Sequence, residues 1–146
     1  MQVLIVDDNQ DITGLLTRFL KAKGIESVAT NDPFDGLDKI KEAQYDMILL
    51  DISMPELSGI DIIQALETEK ILKNQKIVIF SATAFTTSQI NDLLKKDGIQ
   101  GCLKKPIQRL SQSPFRFRFP GFWSPPARGR DPVPGETVEF HPIVLW

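Results

Sequence analysis

Residues 46–59 read Asp46-Met-Ile-Leu-Leu-Asp51-Ile-Ser53-Met-Pro-Glu-Leu-Ser58-Gly59. The apolar run 47–50 is short and unbroken, which suits a strand buried on both faces. It stops at a carboxylate, Asp51. Seven residues on, Ser58 can cap a helix carrying Ile60, Ile63 and Leu66. Strand, acid and helix follow one another here within about twenty residues, and the chain on either side repeats the pattern.

Upstream, residues 3–6 form another apolar, β-branched run, ending at Asp7 and Asp8. Ile12, Leu15, Leu16, Phe19 and Leu20 then fall at i, i+3, i+4, i+7 and i+8, an amphipathic helical stripe that Gly24 is placed to end. Residues 27–30 are a weaker strand. Asp32-Pro33 reads as an N-cap followed by proline in the first turn, with Phe34, Leu37 and Ile40 as that helix's inner face. Downstream, residues 77–80 make a strand ending at Ser81. Thr86 or Thr87 can cap a helix with Ile90, Leu93 and Leu94, which Gly98 stops. Residues 101–104 make a fifth strand, followed by Lys105-Pro106. Uniformly apolar strands alternating with helices predict an α/β fold: a doubly wound, five-stranded parallel sheet, flavodoxin-like, with right-handed crossovers. In such sheets ligands bind outside the carboxyl ends of the strands.

Those ends carry Asp7, Asp8, Asp51, Ser81 and Lys105. Taken singly, each also reads as a helix cap or a solvated surface residue. A parallel sheet would gather all of them at one rim. Three carboxylates there repel, and a hard divalent cation removes that cost. Mg²⁺ takes oxygen ligands: two aspartates, a backbone carbonyl and waters would fill its octahedron. One carboxylate is then left to act as a nucleophile and become an acyl phosphate. Mg²⁺, a lysine and a hydroxyl would stabilise charge on the moving phosphoryl oxygens.

The composition is that of an ordinary globular chain of 146 residues, 42% apolar, 25% charged, net charge −2. That balance points to neither nucleic acid nor membrane as a partner of the whole chain. Cys102 is the one cysteine and His141 the one histidine, so there is no intramolecular disulfide, no cysteine-rich zinc site and no multi-histidine metal site. No apolar run approaches the roughly 18 residues of a membrane span. The first residues form no basic leader, so a cytoplasmic location is expected. The composition breaks near residue 112. All 11 lysines precede residue 106, whereas seven of ten prolines and seven of twelve aromatics lie in 113–146. Residues 1–112 are therefore read as one domain and 113–146 as a Pro/Arg/aromatic-rich tail rather than a second domain.

Residues 1–107 closely resemble the receiver domain of two-component response regulators, of the CheY-like kind. The matching stretches are Val3-Leu-Ile-Val-Asp-Asp-Asn9, the segment 46–59, Ile77-Val-Ile-Phe-Ser-Ala82 and Leu103-Lys-Lys-Pro106. The resemblance implies that Asp51 accepts a phosphoryl group from a histidine kinase or phosphotransfer protein. It implies Mg²⁺ held by Asp8 directly, by Asp7 often through water, by Asp51, and by the backbone carbonyl of Ser53. Ser81 matches the hydroxyl that moves toward the phosphoryl group, and Lys105 the lysine beside a proline, with a cis Lys105–Pro106 bond. Pro55 and Gly59 match the turn after the acceptor. Ser53 and Thr83 stand at the two variable flanking positions, both small enough to leave a path for water. Cys102 departs from the family's Tyr or Phe three residues before the lysine, and a small thiol cannot make the rotamer change of an aromatic. A buried, inert Cys102 is expected. Signalling would pass to a downstream protein partner through a two-state face.

A fifth helix should close such a domain. Ile107 and Leu110 begin one, and Ser113-Pro114 stops it after about two turns. The fifth helix is thus expected to be shortened, or replaced by the tail. Phe115, Phe117 and Phe119 alternate with Arg116 and Arg118, an extended pattern, and Thr137, Val138, Phe140, Ile143 and Val144 suggest a second extended segment. A hairpin over the sheet, a disordered tail, an arm docked on a second chain in a dimer, and a stretch of different coding origin all fit. Gly129-Arg-Asp-Pro132 and Gly135-Glu-Thr-Val-Glu-Phe140 are similar to the DNA-binding arm of HU/IHF-type architectural proteins. That similarity implies Pro132 as a wedge between base steps, with Arg128 and Arg130 on phosphates, and a receiver acting in transcription. A third class, a Mg²⁺-dependent phosphatase, is opposed by Ile52-Ser53-Met54-Pro55, which lacks a second acid two positions after Asp51.

Overall fold

The computed structural model describes residues 1–81 and 87–104, which belong to one compact unit. The elements run β1 (Gln2–Val6), α1 (Gln10–Ala22), β2 (Glu26–Thr30), α2 (Pro33–Glu42), β3 (Met47–Asp51), α3 (Gly59–Thr68), a 3-10 turn (Leu72–Asn74), β4 (Ile77–Ser81), α4 (Thr87–Leu94) and β5 (Ile99–Lys104). The strands form one parallel sheet in the order β2-β1-β3-β4-β5. This is the doubly wound, CheY-like arrangement that the strand–helix alternation predicts. The expected fifth helix, the cis bond and the tail 113–146, including its DNA-contacting reading, fall outside the described residues.

The strands alternate between two buried faces, as a period of two requires. Leu4, Val6, Ile48, Leu50, Ile77 and Ile79 share one core with Ile40 of α2, Ile62, Ile63 and Leu66 of α3, and Leu93 of α4. Each such side chain contributes roughly 1.5–3 kcal/mol by leaving water. Val3, Ile5, Leu49, Val78 and Phe80, at the alternate positions, are buried too. α1 packs over the β1–β2 part of the sheet, burying Thr13, Leu16 and Leu20.

Two helical faces differ from the sequence reading. Leu15 is 45% exposed and Phe34 50% exposed, although both belong to the expected stripes. α1 buries Thr13, Leu16 and Leu20, and α2 buries Pro33, Gly36 and Ile40. In both, the buried line runs i, i+3, i+7 and includes a residue that an apolar stripe passes over. In α2 that residue is Gly36, where a Cβ would meet the Val6 side chain. The helix sits so close to β1 because nothing stands between them. β5 also starts earlier than expected, at Ile99, and its register with β4 shifts so that Ile77 pairs with Ile99 and Val78 with Gly101.

The helix starts follow their caps. Asn9 accepts from the N–H groups of Asp11 and Ile12, and Asp32 from those of Phe34 and Asp35. Ser58 and Asp61 form a reciprocal capping box at α3. Hydrogen bonds from the Ser58 hydroxyl and backbone hold the Asp61 carboxyl below its ordinary value of 3.8. A depressed folded-state value adds stability above the unfolded value and loses it as pH falls through the folded one. Asp61→Asn is therefore expected to lower stability at neutral pH, and the difference from wild type to shrink as pH falls, in urea unfolding at pH 7 and about pH 3. A difference independent of pH would contradict the capping box as its source.

Candidate metal and phosphoryl site

The parallel register sets the rim. Val6 pairs with Thr30 and with Leu50, and Ser81 with Lys104. The residues just past those pairs, Asp7, Asn31 and Asp51, therefore emerge at the same edge. Asp7 and Asp51 are each only 2% exposed, and Asp8 beside them is exposed. One carboxylate oxygen from each of Asp7, Asp8 and Asp51 lies within 4.8 Å of the other two. The backbone of Ser81 ends β4 at this edge. Lys105 follows the last residue of β5 and lies outside the described residues, as does Thr83.

Each acid is held from its own loop. The Asp7 N–H donates to the Thr30 carbonyl at 3.2 Å, continuing the ladder past β1. Its Oδ1 accepts from the Asn9 N–H at 2.9 Å. Asn9 is also the cap of α1, so one residue starts the helix and braces the acid before it. Asp51 Oδ1 accepts from the Ser53 N–H at 3.2 Å. Ser53 is exposed. The Ile52 N–H donates to Phe80 (3.1 Å), and the Ile52 carbonyl accepts from the Gly59 N–H (3.0 Å), which ties the end of β3 to the start of α3. A Cβ on Gly59 would collide with the Asp51 carbonyl oxygen and come within 2.9 Å of the Ile52 Cα. The loop between them turns at Glu56, at φ +68°, where the Leu57 N–H donates back to the Pro55 carbonyl at 2.8 Å. Such a three-residue turn is strained and persists only where its surroundings hold it.

Asn31 is a residue of this edge that the motif reading passes over. Its Nδ2 donates to the Asp7 carbonyl at 2.8 Å and to Thr13 Oγ1 at 3.0 Å. The signal was available: Asn31 directly follows the second strand, the position that drew attention to Asp7 and Asp51. Cys102, expected to be buried, is only partly buried against the main core, and that burial pushes its thiol up, away from the reactive thiolate.

Three clustered carboxylates on a hard-oxygen rim fit a small divalent cation. Octahedral Mg²⁺ holds its oxygens at about 2.0–2.1 Å, so ligand oxygens stand about 3–4 Å apart, inside the spread of this cluster. No described helix is long and apolar enough to cross a membrane.

A doubly wound parallel sheet with buried acids at its carboxyl rim defines a class of α/β domains that work on ligands at that edge. Within that class the chain belongs to the response regulator receiver domain family, whose model matches residues 3–112. The polar-differentiation response regulator DivK of Brucella ovis is 30% identical over 105 residues, 72% of this chain and 84% of that protein. Among solved structures, the receiver domain of the Francisella response regulator 1452 superposes with a TM-score of 0.64 at 30% identity, over 72% of this chain and 84% of that one. Vibrio cholerae chemotaxis protein CheY4 gives 0.61 at 28%, over 72% and 86%. The chain is thus a signalling domain of two-component systems, a family in which phosphorylation falls on an aspartate.

Proposed function

We propose that Asp51 is the phosphoacceptor, and that Asp7, Asp8, Asp51 and the Ser53 carbonyl hold Mg²⁺. Supporting this most directly is the convergence of three carboxylates from two chain segments, the end of β1 and the end of β3. In the proposed reaction an Asp51 carboxylate oxygen forms a bond to phosphorus as the P–N bond of a phosphohistidine breaks. The electron pair of that bond leaves with the imidazole nitrogen. Bound Mg²⁺ would supply positive charge to the phosphoryl oxygens. Asp7 and Asp8 would hold the ion beside the acceptor. The Ser53 N–H donates to Asp51 Oδ1 at 3.2 Å, which fixes the carboxylate at the end of β3. The Ser81 hydroxyl and the Lys105 ammonium then gather on the added charge.

The chain is read as a phosphoacceptor signalling protein rather than an enzyme, and catalyses only its own phosphotransfer and dephosphorylation. The donor is a histidine kinase or phosphotransfer protein, the receiver of the signal is a downstream protein, and the compartment is the cytoplasm. Residues 1–112 make the receiver, and 113–146 an appendage to it. The reading requires metal. Acetyl phosphate should label the protein in Mg²⁺, and excess chelator or Asp8→Asn should reduce labelling by about 100-fold, followed by intact mass against time. Labelling unchanged by chelator would refute the metal assignment.

A further inference from the structure

We propose that Asn31 is a positioning residue for the acid pair at the rim. The inference rests on the assignment of Asp7 and Asp8 to Mg²⁺. The Asp7 carbonyl and the Asp8 N–H belong to one peptide plane, and a peptide plane moves as a unit. Asn31 Nδ2 holds that plane by its carbonyl oxygen, at 2.8 Å. The Asp8 Cα lies in this plane, so the plane and the Asp8 φ angle together decide where its side chain leaves the chain. The other restraints act elsewhere: Thr30 holds the Asp7 N–H, and Asn9 holds the Asp7 carboxylate. The Asn31 side chain hydrogen-bonds the peptide between the two acids.

The same amide reaches Thr13 Oγ1 at 3.0 Å, and that hydroxyl donates to the Gln10 carbonyl at 3.1 Å. Asn31 therefore links the end of β2, the acid loop and the first turn of α1. Groups of this kind, one bond behind the ligands, alter metal affinity by about 10–100-fold when removed. Because the link fixes a ligand and touches no reacting atom, its loss should weaken the ion and spare the chemistry.

Mg²⁺ is titrated into the full chain, and binding is followed by the backbone amide shifts of the rim in two-dimensional NMR. Asn31→Ala should raise the apparent Mg²⁺ Kd about 10-fold. Its labelling rate by acetyl phosphate should equal that of wild type once Mg²⁺ is saturating. Thr13→Val removes the helix end of the link and keeps the Asp7 end, so it should be less stable in urea yet bind Mg²⁺ as wild type does. Asn31→Leu keeps the shape without the donor, repeats the Asn31→Ala result if the latter fails to fold, and carries the same expectation. A wild-type Kd in the Asn31 variants, or an equal weakening in Thr13→Val, would overturn the proposal and leave the metal site standing. Rim shifts that survive in Asp8→Asn would place the ion elsewhere and remove the metal reading and this proposal together.

Discussion

Asp51→Asn takes up no phosphoryl group. The substitution keeps the size and shape of the side chain but replaces an anionic oxygen by a neutral amide, whose lone pairs are poor nucleophiles. No other buried carboxylate at the end of β3 can take its place, because Ile52 and Met54 are apolar and point into the core. Incubated with acetyl phosphate and Mg²⁺, the variant should stay at its unmodified mass while wild type gains one phosphoryl group. The same change removes one of three carboxylates whose oxygens lie within 4.8 Å. Asp51→Asn should still unfold cooperatively in urea in metal-free buffer, because the substitution keeps the shape of the side chain and removes one of the clustered like charges. Loss of labelling in a folded, undiminished protein separates a missing nucleophile from a damaged fold. Labelling at the wild-type rate would sink the assignment.

Gly59→Ala strikes the same site through the backbone. Its new Cβ has no room: the Asp51 carbonyl carbon would stand at 3.0 Å and the Ile52 Cα at 2.9 Å. Backbone atoms cannot rotate out of the way as a flexible side chain can. Either α3 moves off the end of β3 or Asp51 moves with its peptide. Overpacking of this kind costs about 1–3 kcal/mol, a large share of a domain stability of about 5–15 kcal/mol. Misplacement on the order of 1 Å at a reacting group costs up to about 100-fold, so labelling should slow by about tenfold or more at temperatures where the variant is folded. Urea unfolding and labelling rates on the same samples measure both effects. Wild-type values for both would mean that α3 adapts without cost and that the close approach does not position Asp51.

The sheet was legible in the sequence because its strands are short apolar runs ending in polar residues, a pattern with few other solutions in an alternating chain. The caps at Asp32 and Ser58 were legible for a similar reason: each is a short polar side chain just ahead of an apolar-periodic helix. The buried faces of α1 and α2 were less so. Counting apolar residues favours Leu15 and Phe34, whereas what is buried also depends on where a small or hydroxyl-bearing residue lets the helix come close. Gly36 against Val6 and Thr13 beside Asn31 are such places. The irregular register between β4 and β5 left no mark in the residues themselves.

The acid cluster was legible only through the fold. Asp7 and Asp51 are far apart in sequence, and parallel pairing brings them together. The same logic applied to the second strand points to Asn31, but an uncharged amide carries no chemical signal of its own. Asn9 and Gly59 lay inside the quoted motifs, and their roles depend on a backbone N–H and on a missing Cβ. Neither is visible without the positions of neighbouring chain segments.

The most direct test of the account is to locate the phosphoryl group. The full chain is incubated with acetyl phosphate and Mg²⁺, reduced with borohydride to convert any acyl phosphate to an alcohol, digested, and its peptides weighed. The account predicts one modified residue, Asp51, converted to homoserine, and no conversion without Mg²⁺. Conversion at Asp7, Asp8 or any other carboxylate, or none anywhere in a folded protein that binds Mg²⁺, would contradict it.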